Sequence, residues 1–120
     1  MALLGFEEER WSGGINYARG KTDTYLCLLP AAREHLDAGY HRKRIGLNHL
    51  AFKGESRAQV DLVAKWIKDN GHTLLYEDRH PYAGGPDYYA VFFEDPDRIK
   101  LEVVAPTEAS PRTSGREVGA

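Results

Sequence analysis

Two short apolar runs about fifty residues apart constrain this chain more than any other feature. They are Gly46-Leu47-Asn48-His49-Leu50-Ala51-Phe52 and Asp95-Pro96-Asp97-Arg98-Ile99-Lys100-Leu101-Glu102-Val103-Val104. Each has β character, and each carries one metal-capable side chain in its middle. Side chains alternate between the faces of a strand, so His49 shares a face with Leu47 and Ala51, and Glu102 with Lys100 and Val104. A lone polar group in an apolar strand is costly unless compensated. Two on neighbouring strands, turned into one concavity, point to a metal or acid/base site. The plainer alternative is a buried pair in which His49 and Glu102 hydrogen-bond each other.

The rest of the chain supplies strands and one clear helix. Phe6 to Trp11, Ile15 to Arg19 and Thr24 to Leu29 read as strands, separated by turns at Ser12-Gly13-Gly14 and Gly20-Lys21-Thr22-Asp23 and closed by Pro30. Residues 31–45 read as a polar connector with one helical turn around Ala32 to Leu36. A helix is expected over 57–70, where Ser56 and Gln59 form a capping-box pattern. Val60, Val63, Ala64 and Ile67 recur at helical spacing, with Leu62 and Trp66 widening the stripe. Asn70-Gly71 ends the helix. His72 to Asp78 reads as a strand, Arg79 to Pro86 as a loop, and Tyr88 to Phe93 and Ile99 to Ala105 as the last two strands. From Thr107 onward the composition predicts a disordered tail.

The order LNHLAF, SRAQVDLVAKWIKDNG, HTLLYEDR, YYAVFFEDPDRIKLEVVAP resembles the second half of a vicinal-oxygen-chelate protein. Glyoxalase I, fosfomycin and bleomycin resistance proteins and extradiol dioxygenases make up that superfamily. The resemblance covers residues 46–106, with one departure: Arg98 stands where the family usually has Gly. It implies an α+β fold of paired βαβββ modules, the first lacking its opening strand and helix. Leu3-Leu4-Gly5-Phe6-Glu7 resembles the family's junction between first helix and second strand. One domain would then span 1–106: a partial module over 1–30, the connector 31–45 and a complete module over 46–106.

The resemblance also implies that His49 and Glu102 are metal ligands, with a divalent ion (Fe, Mn, Ni or Zn) as cofactor. Aligning Thr24–Pro30 on Lys100–Pro106 by their prolines puts Leu26 opposite Glu102, which argues against the four-ligand arrangement of glyoxalase I. A two-His-one-carboxylate face remains compatible and suits Fe(II) or Mn(II), but its other His would lie on the strand this chain does not show. His80 sits in a loop able to fold over the cup. Tyr82 and Tyr89, within the aromatic set Tyr82, Tyr88, Tyr89, Phe92 and Phe93, are candidates with His80 for contacting substrate. His35 and His41 read as solvated, and His72 as a residue at the helix C-terminus.

Composition sets the remaining expectations. At 120 residues with 42% hydrophobic content and a formal net charge of −2, one small ordinary domain is expected. The single Cys27 leaves no intramolecular disulfide, so the cytoplasm is the expected compartment. No apolar run reaches a membrane span. The basic cluster His41-Arg42-Lys43-Arg44 lacks interleaved aromatics and reads as a solvated connector rather than a nucleic-acid surface. A sheet short of one strand invites pairing with a second copy, so a homodimer is expected. The function expected is a glyoxalase- or dioxygenase-like enzyme (a metal-dependent lyase, isomerase or dioxygenase) chelating two adjacent oxygens of a small molecule. The alternatives are a metal-free binding dimer of the bleomycin-resistance type and a truncated inactive subunit.

Overall fold

Three antiparallel strands open the chain, and a strand, a helix and three further strands follow. The computed structural model describes residues 1–20 and 24–107; most of the turn expected at Gly20–Asp23 and the tail beyond Thr107 lie outside the described residues. The fold separates into two units, Met1–Gly39 and Tyr40–Ala120.

In the first unit, β1 (Glu7–Trp11), β2 (Gly14–Ala18) and β3 (Tyr25–Leu28) form one sheet in that order. Trp11 pairs with Gly14, which leaves Ser12-Gly13 as a two-residue hairpin loop. Ahead of β1, Ala2–Leu4 makes one 3-10 turn that buries Leu4 and ends at Gly5. Arg19 clamps this start: its Nη1 donates to the Leu4 carbonyl at 3.1 Å, and its guanidinium lies 4.8 Å from the centre of the Phe6 ring. The connector carries a 3-10 helix at Arg33–Ala38, where the sequence predicts one helical turn.

The second unit is a βαβββ module. β4 (His49–Lys53) pairs in parallel with β7 (Lys100–Val104), which pairs antiparallel with β6 (Ala90–Glu94), and β6 in turn with the two-residue β5 (Leu74–Leu75). The helix α1 (Arg57–Asp69) lies against β5, β6 and β7. Its N-cap Ser56 accepts from the backbone N–H of Gln59 at 3.1 Å, and the Gln59 side chain accepts from the N–H of Glu55 at 2.7 Å. At the other end the N–H of Gly71 donates to Lys68 and that of His72 to Ile67, a Schellman closure with Gly71 at φ +73. Val60, Val63, Ala64 and Ile67 are buried, and Val91 and Val103, paired directly across β6 and β7, are sealed completely. Leu62 and Trp66 do not widen the buried stripe. They are about half exposed, and Trp66 stacks on His72 with ring centres 5.3 Å apart.

Gly54 brings β4 close enough to β7 for its N–H to donate to the Val104 carbonyl at 2.7 Å. A Cβ there would stand 3.2 Å from Cγ1 of Val103 and 3.0 Å from Oε1 of Gln59. The strand expected over His72 to Asp78 is cut to Leu74–Leu75, because Tyr76 turns into the left-handed region (φ +55) and Glu77–Arg79 forms a 3-10 turn. Arg98, standing where the related proteins were expected to have Gly, also has a left-handed backbone (φ +69). The Asp95 carboxylate holds that turn, accepting from the N–H of Asp97 at 2.9 Å and of Ile99 at 2.8 Å.

Candidate functional site

Strand pairing decides which side chains meet. Ala51 lies opposite Glu102 and Glu102 opposite Phe92, while His49 lies opposite Lys100 and Lys100 opposite Glu94. With Val91 and Val103 turned toward α1, alternation puts His49, Ala51, Lys53, Ala90, Phe92, Glu94, Lys100, Glu102 and Val104 on the other face of the sheet. His49 and Glu102 are brought together there: Nε2 of His49 is 3.4 Å from Oε1 of Glu102. Glu102 is 3% exposed, whereas the His49 side chain keeps 36% of its surface.

Neighbours fix the orientation of both groups. Nδ2 of Asn48 donates to the Arg42 carbonyl at 3.1 Å, which turns Oδ1 of Asn48 toward Nδ1 of His49 at 2.7 Å. The amide oxygen can only accept, so Nδ1 carries the hydrogen. In a neutral imidazole Nε2 then presents a lone pair to a carboxylate oxygen, and two acceptors so placed repel unless a proton or a metal cation lies between them. The other oxygen of Glu102, Oε2, accepts from the Tyr88 hydroxyl. Burial first, and then the bond and the charge of Glu102, push the Tyr88 phenol well above its ordinary pKa.

Tyr88, rather than the expected Tyr89, is the tyrosine that reaches Glu102. Its signal was the period of two from Phe92, which pairs with Glu102. Tyr89 belongs to the opposite face. Its hydroxyl donates to Oδ1 of Asp61 on α1 at 2.5 Å, the Arg57 guanidinium lies 4.8 Å from its ring centre, and Tyr82 packs edge-on at 5.6 Å. Tyr82 and Tyr89 are thus brought together, but across the sheet from His49 and Glu102. His80 is half-buried in its loop. Among the described residues no three His, Cys, Asp or Glu side chains converge, so His80 does not join the pair.

A second cluster fills the same sheet face. The Lys100 ammonium donates to the Tyr76 hydroxyl at 3.0 Å and sits 4.9 Å and 5.2 Å from the ring centres of Tyr76 and Phe92. Arg42, expected to be solvated, is partnered: Nη1 binds Oε2 of Glu94 and the Arg98 carbonyl at 3.0 and 3.2 Å.

The donor set can be tested against a metal. Two ligands held about 2.1 Å from one ion at a tetrahedral angle stand about 3.4 Å apart, which is the spacing between Nε2 and Oε1. The Asn48 contact on Nδ1 supplies the outer hydrogen bond that orients a ligating imidazole. The pair therefore fits two positions of a divalent site.

Comparison with known proteins settles the family. No family model matches the chain. The uncharacterized protein YqjT of Bacillus subtilis is 50% identical over 105 residues, covering 87% of this chain and 80% of YqjT. The crystal structure of a candidate glyoxalase from Bacillus halodurans superposes with a TM-score of 0.82 at 51% identity, over 88% of this chain and 78% of that one. The chain belongs to the vicinal-oxygen-chelate superfamily. A glyoxylase/bleomycin resistance protein/dioxygenase domain from Frankia shares the vicinal-oxygen-chelate fold at 20% identity, with a TM-score of 0.56 over 90% of this chain and 78% of that one. The three strands of the first unit are a module without its opening strand and helix, and the second unit is a complete one. Among the described residues no helix is long and apolar enough to cross a membrane.

Proposed function

We propose that this protein is a metal-dependent vicinal-oxygen-chelate enzyme acting on a small molecule, with His49 and Glu102 as two ligands of a divalent ion. The observation carrying this reading is the lone-pair nitrogen of His49 facing a carboxylate oxygen at 3.4 Å. A divalent ion there supplies Lewis acidity to two adjacent substrate oxygens. Tyr88 engages Oε2 of Glu102 and leaves Oε1 toward His49, while Asn48 holds the imidazole in the matching tautomer. The likeness to the candidate glyoxalase of Bacillus halodurans supports the same reaction class. One further protein ligand is needed, and a second copy can supply it. A homodimer is part of this reading, supported by the edge position of β4, which carries His49.

Calorimetric titration with Fe(II), Mn(II), Ni(II) and Zn(II), on this chain and on His49→Ala, tests the proposal. Binding lost with His49 supports it. Equal binding by both proteins, or none by either, refutes it for this chain.

Tyr88 favours a second reading, a metal-free binding protein. With the Tyr88 hydroxyl on one oxygen and an imidazolium on the other, Glu102 is satisfied without an ion. The same titration separates the two.

A further inference from the structure

We propose that the substrate of this site carries an oxyanion group (a carboxylate, phosphate or phosphonate) and that Lys100 recognises it. The inference deepens the proposed function by naming the substrate class of that sheet face, yet it stands on groups that function does not use. Lys100 is on the same face as Glu102, two residues away, so the Cα atoms of Lys100 and Glu102 are about 6.6 Å apart. His49 lies directly opposite Lys100 across β4 and β7, so Lys100 borders the His49–Glu102 pair.

Two lysines lie on this face: Lys53 is exposed at the end of β4, whereas Lys100 is half-buried and has no ion-pair partner among the described residues. Glu94 is bound by Arg42 at 3.0 Å and faced by Arg98 at 3.7 Å, and Glu102 is engaged by Tyr88 and His49. Both carboxylates of the face are thereby taken, and among the described residues Lys100 has no carboxylate partner. Its hydrogen-bond partner is the neutral Tyr76 hydroxyl. An ammonium has three N–H donors, of which this bond uses one. The faces of Tyr76 and Phe92 steady the cation without neutralising it.

The backbone is bent to make this arrangement. Tyr76 has φ +55, a conformation that costs a non-glycine residue energy and that cuts β5 to two residues. It carries the ring to Lys100 and Phe92, edge-on to Phe92 at 5.4 Å, while the Arg79 guanidinium lies 5.1 Å from the Tyr76 ring centre. Glu94, directly opposite Lys100 across β6 and β7, is already engaged by Arg42 and Arg98, and a half-buried cation held by aromatic faces with two N–H donors left over is a receptor for an oxyanion.

Calorimetry on metal-free protein tests this, with inorganic phosphate as the probe and trimethyl phosphate as its neutral counterpart. Phosphate binding is expected in the wild type and in Lys100→Arg, and about tenfold or more weaker in Lys100→Met, with no binding of trimethyl phosphate. Equal phosphate affinity in Lys100→Met and wild type, no phosphate binding by the wild type, or equal binding of the neutral ester overturns the proposal. Lys100→Arg keeps the charge and the stem, so its retention of binding shows that loss in Lys100→Met is not a folding defect. A parallel Mn(II) titration keeps the two readings apart. Lys100-dependent phosphate binding in a chain that takes up no Mn(II) upholds the oxyanion site while removing the metal.

Discussion

The Tyr88 hydroxyl donates to Glu102, the buried carboxylate of the sheet face that carries His49. Glu102 is 3% exposed while Tyr88 is 37% exposed, so the carboxylate depends on this bond for its solvation more than the hydroxyl does. Tyr88→Phe removes the donor and leaves a buried carboxyl oxygen without its hydrogen bond. The expected cost is about 1–3 kcal/mol, read from urea unfolding. Glu102→Gln keeps a partner for the hydroxyl, so it is expected to cost less stability while abolishing Mn(II) binding.

Arg98 holds a left-handed backbone with a Cβ, a conformation that glycine adopts without penalty. Its ion pair with Glu94 is long, at 3.7 Å, its side chain is 72% exposed, and Arg42 remains on Glu94. Arg98→Gly is therefore expected to stabilise the protein by about 1 kcal/mol, after the larger unfolded-state entropy of glycine is counted. A rise in the urea midpoint at unchanged slope checks it.

Ser56 caps α1, and the helix buries Val60, Val63, Ala64 and Ile67 against the sheet. Ser56→Ala leaves the N–H of Gln59 without its partner. A loss of about 1 kcal/mol is expected, visible in thermal unfolding followed by far-ultraviolet circular dichroism.

The hydrogen bond to Asp61, reinforced by burial, pushes the Tyr89 phenol up to about 12. Its folded pKa lies above the ordinary value of 10.0. The stability it contributes is fully present below the unfolded pKa and is lost as pH rises through the folded one. Ultraviolet titration of tyrosinate is expected to show Tyr89 ionising above the ordinary value of 10.0, and Asp61→Asn is expected to move that step to lower pH. An unchanged step would show that Asp61 does not set it.

Much of the second module was legible in the chain. The helix was marked by its Ser56 cap, its apolar spacing and Gly71, all of which act within a few residues. The period of two gave the faces of His49 and Glu102 on their own strands, and the resemblance to the vicinal-oxygen-chelate family implied that those strands lie together. The aromatic neighbours were not legible in the same way. Tyr88 and Tyr89 are adjacent and chemically alike, so the pleat sends them to opposite faces, and only the pairing of Phe92 with Glu102 shows which one reaches the carboxylate. The basic cluster read as solvated, yet Arg42 finds Glu94 fifty-two residues away.

By itself, then, the sequence determined the βαβββ order, the capped helix and the faces of His49 and Glu102, because periodicity and capping are short-range effects written into neighbouring residues. Only the tertiary structure decided that Tyr88 holds Glu102, that Tyr82 and Tyr89 lie on the helix side, and that Lys100 rests on Tyr76 and Phe92. Those contacts depend on strand register and on the left-handed turn at Tyr76, and both are fixed by packing between segments distant in the chain.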